Sequence, residues 1–279
     1  MAIRIVTDSS ADLPPDLADR WNITVVPCNV VINDGSYKDG VDLAAEEFYR
    51  KLDSSSRSPT TAQPSVADFQ SVYQTLLDQG HEVVSIHVSG KLSGTWNSAE
   101  RARESLEESA HIEVIDSQLA SLGMGLVVLR AAQLARETES YRQVAKEVRS
   151  TLSETQCILV LDTLEYLHKG GRIGKAQAFL GSVLNVKPIL KLRDGEVHPV
   201  DRPRNLDRGV RRLAELAHEC APVRQVGVIY STDPERAIDL KRRLSDLIPE
   251  EEIITSRFGA TLGTYVGPRA VGVALTRAS

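Results

Sequence analysis

The chain has 279 residues, of which 42% are hydrophobic and 25% are charged, and its formal net charge is −5. This composition is typical of a soluble globular protein, and at roughly 100–200 residues per domain the length favours two domains. The basic residues are scattered and the balance is acidic, which argues against nucleic acid as a partner.

The three cysteines, Cys28, Cys157 and Cys220, are far apart and odd in number. They offer neither a disulfide framework nor paired metal ligands. The sequence opens on an apolar strand pattern without the features of a signal peptide, and no run reaches the ~18 apolar residues of a membrane span. We therefore expect a cytoplasmic protein without a metal site or cofactor.

In the first half of the chain, short apolar runs alternate with helical patterns. The predicted strands cover residues 3–6, 23–32, 83–88 and 112–115, and the predicted helices cover 13–21, 44–52, 66–79, 95–107, 123–137 and 141–151. Such alternation is typical of βαβ units and predicts an α/β fold with a mostly parallel sheet. The polar stretch 53–61 is predicted to be a surface loop.

The second half has a different pattern. Its predicted strands cover residues 157–161, 189–192, 197–201, 226–229, 252–257 and 271–275. Asp194-Gly195 lies between two of these strands, which is a strong signal for a β-hairpin. We therefore predict an α+β domain with a mixed or antiparallel sheet, and we place the domain boundary near residue 155, giving domains 1–155 and 156–279.

Small polar residues follow three of the predicted N-terminal strands, at 7–10, 89–95 and 116–117. In an open α/β sheet, ligands bind outside the carboxyl ends of the strands. Serine, threonine and aspartate also cap helices and turns. Three such segments on one rim of a sheet nevertheless favour a binding site.

The loop 89–98 is the most informative of these segments. Gly90 and Gly94 let the backbone approach a ligand closely, and Thr95 opens a helix whose free N–H groups favour an anion. Ser93 adds a hydroxyl, and Thr61, in a second hydroxyl-rich loop before a helix, can supply a facing donor. The pattern predicts a small anion, carboxylate or phosphate, held without a basic side chain.

Other functions remain open at this point. An enzyme with Ser93 as nucleophile lacks the G-x-S-x-G elbow, because the serine stands fourth in Gly90–Gly94. His87 alternates with apolar neighbours, so we interpret it as structural. Arg172, on a glycine-rich tip, is either solvated or available to a partner or an anion. A binder of another small anionic metabolite is the remaining alternative.

Taken together, the segments resemble the DegV family of bacterial fatty-acid-binding proteins. The resemblance runs from Ile3 to the C-terminus. It rests on TDSSADLP at 7–14, TAQPS at 61–65, LSGT at 92–95, SA at 98–99, DS at 116–117, LDTLEYLHKGGRI at 161–173, KPIL at 187–190 and GTYVGP at 263–268.

The resemblance implies a binding subunit of a fatty acid kinase system that has no catalytic residue of its own. It implies that the acyl chain is buried near the junction of the two domains. The carboxylate would be held by Thr61 and Ser93, with help from Gly94, Thr95 and Tyr265. A separate kinase subunit would form the acyl phosphate, and an acyltransferase and a transient membrane contact are further partners to consider.

Other residues are assigned on the same resemblance. Arg172 and Arg202 match positions associated with kinase docking or with the phosphate. The sequence departs from the family pattern at Tyr265, where histidine is usual, at Arg269 in place of glycine, and at Ala62 in place of serine. A predicted apolar helix over residues 176–184 is a candidate wall of the acyl tunnel.

Overall fold

The computed structural model describes residues 2–107, 110–180 and 186–278. Four parallel strands form the first sheet, in the order β2-β1-β6-β7. These strands are β1 (Ile3–Asp8), β2 (Thr24–Val26), β6 (Glu82–His87) and β7 (Ile112–Asp116). The predicted parallel α/β architecture of the first half is confirmed.

A small antiparallel sheet accompanies the parallel one. Its strands, in the order β4-β3-β5, are β3 (Asn29–Ile32), β4 (Gly35–Lys38) and β5 (Thr60–Ala62). The prediction of one strand over residues 23–32 was wrong, because the chain leaves the first sheet at Pro27 and Cys28 and enters the second. Asn33 and Asp34, with φ of 50° and 65°, form the tight turn between β3 and β4.

The second half of the chain forms a six-stranded mixed sheet, in the order β10-β9-β8-β13-β11-β12. The strands are β8 (Thr155–Val160), β9 (Ile189–Arg193), β10 (Glu196–Asp201), β11 (Val223–Tyr230), β12 (Ile254–Arg257) and β13 (Val271–Arg277). The hairpin predicted at Asp194-Gly195 joins β9 to β10, and only the β11–β12 pairing is parallel. The predicted mixed sheet is confirmed.

Helices cover the faces of these sheets. They are α1 (Pro15–Arg20), α2 (Ala45–Ser54), α3 (Val66–Asp78), α4 (Thr95–Glu104), α5 (Ser121–Leu134), α6 (Tyr141–Glu154), α7 (Glu165–Lys169), α8 (Leu206–His218), α9 (Pro234–Arg243) and α10 (Ala260–Val266). Short 3-10 helices cover Ser9–Ala11, Gly174–Phe179 and Glu250–Glu252. Within the described residues, no helix has both the length and the apolar character needed to cross a bilayer.

The helix predicted over residues 176–184 is only partly described. Gly174–Phe179 forms a 3-10 helix that is capped by Leu180, and residues 181–185 lie outside the described part of the chain. Gly174 opens this segment in the left-handed region with φ of 52°, and a side chain there would meet the backbone of Val197. The close contact with β10 fixes the start of the segment as a tight turn and not as an α-helix.

Helix α5 lies between the first sheet and the large sheet. Every residue from Ser121 to Leu129 is buried, because the helix packs against strands of both sheets. Met124 and Val128 belong to the core of the first sheet, whereas Leu122 and Leu126 belong to the core of the large sheet. The two halves of the chain therefore share one apolar helix, and the chain passes from one sheet to the other at β8. The domain boundary at residue 155 stays a prediction.

Candidate functional site

A cavity of about 390 Å³ lies where the three sheets meet. Ligand pockets in proteins typically span roughly 300–1,000 Å³ and have mostly apolar walls with a few polar groups. The apolar lining residues are Cys28, Ala62, Val88, Leu92, Ala120, Cys157, Leu159, Leu167, Leu190, Leu192, Val197, Phe258, Leu262 and Val266. The lining residues with polar or charged side chains are Ser10, Thr61, Gln63, Ser93, Ser121, Arg172, Lys191, Thr261 and Tyr265.

Thr61 and Tyr265 meet at the wall of this cavity. Thr61 lies on β5 and Tyr265 on α10, and the Thr61 Oγ1 and Tyr265 hydroxyl oxygens are 2.6 Å apart. Each hydroxyl carries one proton, and their mutual hydrogen bond uses only one of the two. The pair therefore keeps one O–H that can be donated to an anion in the cavity.

Ser93 forms a second hydroxyl pair with Thr95. Ser93 Oγ and Thr95 Oγ1 are 2.9 Å apart, and the backbone N–H of Thr95 donates to Ser93 Oγ at 3.3 Å. Thr95 itself is fully buried and does not line the cavity. Its direct role toward a ligand stays a prediction, whereas its observed contacts hold the Ser93 hydroxyl in place.

Gly94 also lies off the cavity wall. The side-chain amide of Gln63 covers it, so that a Cβ atom at Gly94 would overlap the Gln63 amide. Gln63 in turn donates from Nε2 to Ser98 Oγ at 2.9 Å. A close approach of backbone is thus needed at Gly94, as the sequence indicates, but the approaching group is Gln63.

Arg172 places a positive charge beside the hydroxyl pairs. Its guanidinium lies 5.3 Å from the centre of the Tyr265 ring, and Arg172 Nε donates to the carbonyl of Leu92 at 3.1 Å. The expectation of an anion site without a basic side chain was therefore incomplete. Arg172 is 80 residues away from Leu92 in the chain, so a loop-by-loop interpretation of the sequence does not bring them together.

The loop that carries Ser93 is anchored to the large sheet. Ser89 Oγ donates to the carbonyl of Gly195, in the β9–β10 hairpin, at 2.8 Å. Together with the Arg172 contact to Leu92, this bond ties the N-terminal half of the site to the C-terminal half. Both halves must be in place before the hydroxyl groups can face one cavity.

Two other arginines that the sequence singled out lie elsewhere. The Arg202 guanidinium is 4.8 Å from the centre of the Phe179 ring, and Arg202 does not line the cavity. Arg269 forms an ion pair with Asp162, whose Oδ1 also accepts from Lys187 Nζ at 2.7 Å. Neither arginine supplies charge to the cavity wall.

A buried histidine network lies on strands β1 and β6 of the first sheet. His87 Nδ1 is 3.0 Å from Asp8 Oδ2, and His87 Nε2 is 2.7 Å from Ser85 Oγ. All three side chains are fully buried. The interpretation of His87 as structural agrees with this placement, because a substrate cannot reach the serine that it contacts.

The two cysteines of the cavity wall are inert. Burial raises the pKa of Cys157 to about 12 and raises the pKa of the Cys28 thiol further still. Both groups are therefore neutral thiols near pH 7 and act as small apolar lining.

Two carboxylates near the cavity were not expected from the sequence. Asp12 and Asp39 are buried and accept hydrogen bonds from the first residues of α10. Desolvation raises the pKa of both groups, and for Asp12 it outweighs the hydrogen bonds from Gly259 and Ser121 that lower it. Their partners lie more than 100 residues away, so local sequence carries little signal for them.

The fold and the cavity define a class of protein: an α/β protein of two halves with a largely apolar pocket between its sheets. The chain belongs to the DegV family, whose family model, described as "Uncharacterised protein, DegV family", matches residues 2–278. A DegV domain-containing protein of Caldanaerobacter subterraneus subsp. tengcongensis is 38% identical over 274 residues, covering 97% of each chain.

Solved structures of related proteins share the fold along the whole chain. A DegV family protein from Thermus thermophilus, described as fatty acid binding, has a TM-score of 0.91 and 36% identity, covering 99% of each chain. DegV of Bacillus subtilis, described as a fatty acid binding protein, has a TM-score of 0.90 and 31% identity, also covering 99% of each chain.

Proposed function

We propose that this protein binds a long-chain fatty acid, with its carboxylate at Thr61 and Ser93 and its acyl chain in the cavity. The observation that carries the proposal is one cavity that combines apolar walls with two hydroxyl pairs. The likeness to fatty-acid-binding proteins of T. thermophilus and B. subtilis supports the same ligand class.

The chemistry of the cavity suits both ends of such a ligand. A carboxylate that leaves water must be hydrogen-bonded, because an unpaired buried charge is very costly. The two hydroxyl pairs offer one free O–H each, and Arg172 adds a nearby positive charge. The acyl tail contributes about 0.8 kcal/mol for each buried methylene, so the tail supplies most of the affinity and the head group sets the position.

The bound carboxylate is then presented to the catalytic subunit of a separate fatty acid kinase, which converts it to an acyl phosphate. The exposed position of Arg172 and the half-buried positions of Thr61 and Ser93 support a head group near the accessible side of the cavity. In this scheme the protein is a cytoplasmic carrier without catalysis of its own. An acyltransferase and a transient membrane contact are the further partners.

A carrier role is also favoured by the surroundings of Ser93. Its hydroxyl bonds Thr95, whereas the histidine that contacts a serine, His87, reaches the buried Ser85. A serine-nucleophile hydrolase would need a base beside Ser93. Turnover of acyl esters, or covalent labelling of Ser93 by a serine-directed probe, would support that alternative and contradict the carrier role.

Native mass spectrometry of the purified protein tests the proposed ligand. We expect one acyl chain per protein chain, released by lipid extraction and replaced on addition of palmitic acid. Protein that is reproducibly lipid-free and does not bind palmitic acid would contradict the proposal. Displacement of the bound species by inorganic phosphate but not by palmitic acid would instead indicate a binder of another small anion.

The kinase step has a separate test. When the protein is mixed with a fatty acid kinase catalytic subunit, ATP and palmitic acid, we expect ATP consumption that requires all four components. ATP consumption that is unchanged when this protein is omitted would contradict its role as a presenting subunit, while leaving fatty acid binding intact.

A further inference from the structure

The start of α10 is capped by two carboxylates from distant parts of the chain. Asp12 Oδ1 accepts the backbone N–H of Gly259 at 2.8 Å. Asp39 Oδ1 and Oδ2 accept the N–H groups of Ala260 and Thr261 at 2.9 and 3.1 Å. Three successive backbone donors that have no partner within a helix are therefore satisfied by two side chains. We name these contacts the two-carboxylate cap.

Asp12 also holds the start of α5. Its second oxygen, Oδ2, accepts from the hydroxyl of Ser121 at 2.7 Å. Ser121 has a φ of 56°, a conformation that is uncommon for a residue with a side chain. The hydroxyl of Ser256, on β12, donates to the backbone carbonyl of Asp12. One residue thus ties together the first turns of two helices and an edge strand of the large sheet.

Both of these helices contribute to the cavity. Ser121 lines it at the start of α5, and Thr261, Leu262, Tyr265 and Val266 line it from α10. Tyr265 is one turn beyond Thr261, so the orientation of the first turn of α10 sets the position of the Tyr265 hydroxyl relative to Thr61.

We infer that Asp12 and Asp39 are positioning residues for the ligand site, which place Tyr265 against Thr61 by fixing the start of α10. This inference rests on the proposed function, because Tyr265 and Thr61 are the groups that would meet the carboxylate of a fatty acid. Asp12 and Asp39 themselves do not line the cavity and act through the helix.

At Asp39 the arrangement requires two carboxyl oxygens and not merely a polar side chain of the same size. Both oxygens of Asp39 face N–H donors, and a backbone N–H can only donate. An asparagine would offer one acceptor and turn an NH₂ group toward the remaining N–H. A negative charge at a helix N-terminus is also favoured by the helix dipole.

The free-energy cost of burying two charged carboxyl groups is consistent with a functional role. Burial raises the pKa of Asp12 and of Asp39, which means that keeping these groups charged is unfavourable in the folded protein. Buried carboxyl groups with shifted pKa values are concentrated near functional sites.

A double-mutant cycle with Asp39→Asn and Tyr265→Phe tests the inference. In the wild-type background, we expect Asp39→Asn to weaken binding of palmitic acid about tenfold, measured by displacement of a fluorescent fatty acid. In the Tyr265→Phe background, the same change should weaken binding less than about twofold, because coupled residues are not additive. Equal effects in both backgrounds would overturn the inference, since a general loss of stability is independent of Tyr265.

Asp233→Ala is the control, because alanine has no side-chain acceptor and removes a helix cap far from the cavity. Asp233 caps α9 by accepting the N–H of Arg236 at 3.3 Å, and α9 packs on the face of the large sheet that is opposite α5. Removal of this cap should leave the affinity for palmitic acid within about twofold of the wild type. A loss equal to that of Asp39→Asn would show that any lost helix cap weakens binding, and it would overturn the specific role of the two-carboxylate cap.

Amide hydrogen exchange of the lipid-free protein gives a readout that does not depend on the ligand. Asp39→Asn should speed exchange at residues 260–266 about tenfold relative to the wild type, whereas Asp233→Ala should not. Unchanged exchange in α10 would overturn the inference. If the wild type binds no fatty acid, the proposed function fails, and the exchange result still decides whether the cap orders α10. Asp12→Ala, which removes the contacts to Gly259 and Ser121, replaces Asp39→Asn if the latter does not fold.

Discussion

At the scale of single residues, the number of free hydroxyl protons determines how many hydrogen bonds the head-group site can donate. Thr61 and Tyr265 share one hydrogen bond, and Ser93 and Thr95 share another. Two protons are therefore left for an anion when Thr95 donates to Ser93, because Thr95 is buried off the cavity wall. Each of the two pairs can therefore contribute one hydrogen bond to the carboxylate.

Removal of both cavity-facing hydroxyls, by Thr61→Ala with Ser93→Ala, should weaken fatty acid binding. Each hydrogen bond to a charged group contributes about 1.5–3 kcal/mol, so we expect a loss of at least about tenfold, measured by displacement of a fluorescent fatty acid. Thr60→Ala is the matched control, because Thr60 lies on the same strand, is exposed and does not line the cavity. Unchanged affinity in the double variant would contradict the head-group assignment.

The charge of Arg172 predicts a preference for acids over neutral lipids. Arg172→Gln should weaken binding of palmitic acid about two- to fivefold, because an exposed ion pair is worth roughly 0.2–1 kcal/mol. Hexadecanol, which has no charge, should bind the wild type and the variant equally. An equal loss for both ligands would indicate that Arg172 supports the cavity through its bond to Leu92 and not through its charge.

The sequence identifies some of these residues and not others. Thr61 and Ser93 follow from hydroxyl-rich loops that lead into helices, a local pattern that the fold places at one cavity. Gly94 and Thr95 carry the same local signal, yet the side chain of Gln63 covers one and Ser93 shields the other. Asp12 and Asp39 could not be predicted, because their role depends on contacts with residues 259–261.

At the scale of secondary structure, α5 is the element on which both sheets depend. Gly123 faces β8, where an added Cβ atom would lie 2.8 Å from the Cβ of Cys157. Gly125 faces the N-terminal half, where an added Cβ atom would lie 2.7 Å from the carbonyl oxygen of Ala11. The glycines that the sequence places inside a helical pattern therefore permit close packing on two opposite faces.

Gly123→Ala tests this packing, because helix propensity and overpacking change the free energy of unfolding in opposite directions. Helix propensity alone predicts a gain of about 1 kcal/mol from glycine to alanine. Overpacking of a tight core costs about 1–3 kcal/mol, and we expect this cost to dominate and lower the free energy of unfolding in a denaturant titration. A variant that is more stable than the wild type would contradict the close contact between α5 and β8.

The accuracy of the predicted elements follows from their length and pattern. Long periodic helices such as α3 and α5, and apolar strands such as β6 and β13, were found near their observed positions. Strand β5 has only three residues in a hydroxyl-rich stretch, so it was interpreted as loop. Its pairing with β3 is a tertiary contact, and it is this pairing that brings Thr61 to the cavity.

At the scale of the whole molecule, the buried Asp12 predicts how stability changes with pH. Desolvation raises the pKa of Asp12 well above the value in an unfolded chain, and the charges of Asp39 and Asp8 add to the effect. The folded state therefore binds this proton more tightly than the unfolded state. The resulting stabilisation is present below the unfolded pKa and is lost as the pH rises through the folded pKa.

We expect the free energy of unfolding of the wild type to fall relative to that of Asp12→Asn as the pH is raised from about 4 to about 8. Parallel denaturant titrations of both proteins at each pH measure the difference. The prediction concerns how the difference between the two free energies of unfolding changes with pH. A constant difference in stability caused by the substitution therefore does not affect it. A difference that grows in favour of the wild type with rising pH would contradict the raised pKa.

The overall fold class was predictable from the sequence because βαβ alternation and a hairpin signal distinguish the two halves. The way in which the halves meet was not, since it depends on residues that contact each other only in the folded chain. Thr61 with Tyr265, Leu92 with Arg172, and Asp12 with Gly259 are all separated by at least 80 residues.

The position of α5 between two sheets has a consequence for any attempt to shorten the protein. A fragment ending near residue 155 would retain Thr61 and Ser93 and lose Arg172 and Tyr265. It would also leave Leu122 and Leu126 without their partners on the large sheet, exposing an apolar helix face to water. Such a fragment would tend to aggregate, so the halves of this molecule are suited to study as one piece and not as separately expressed modules.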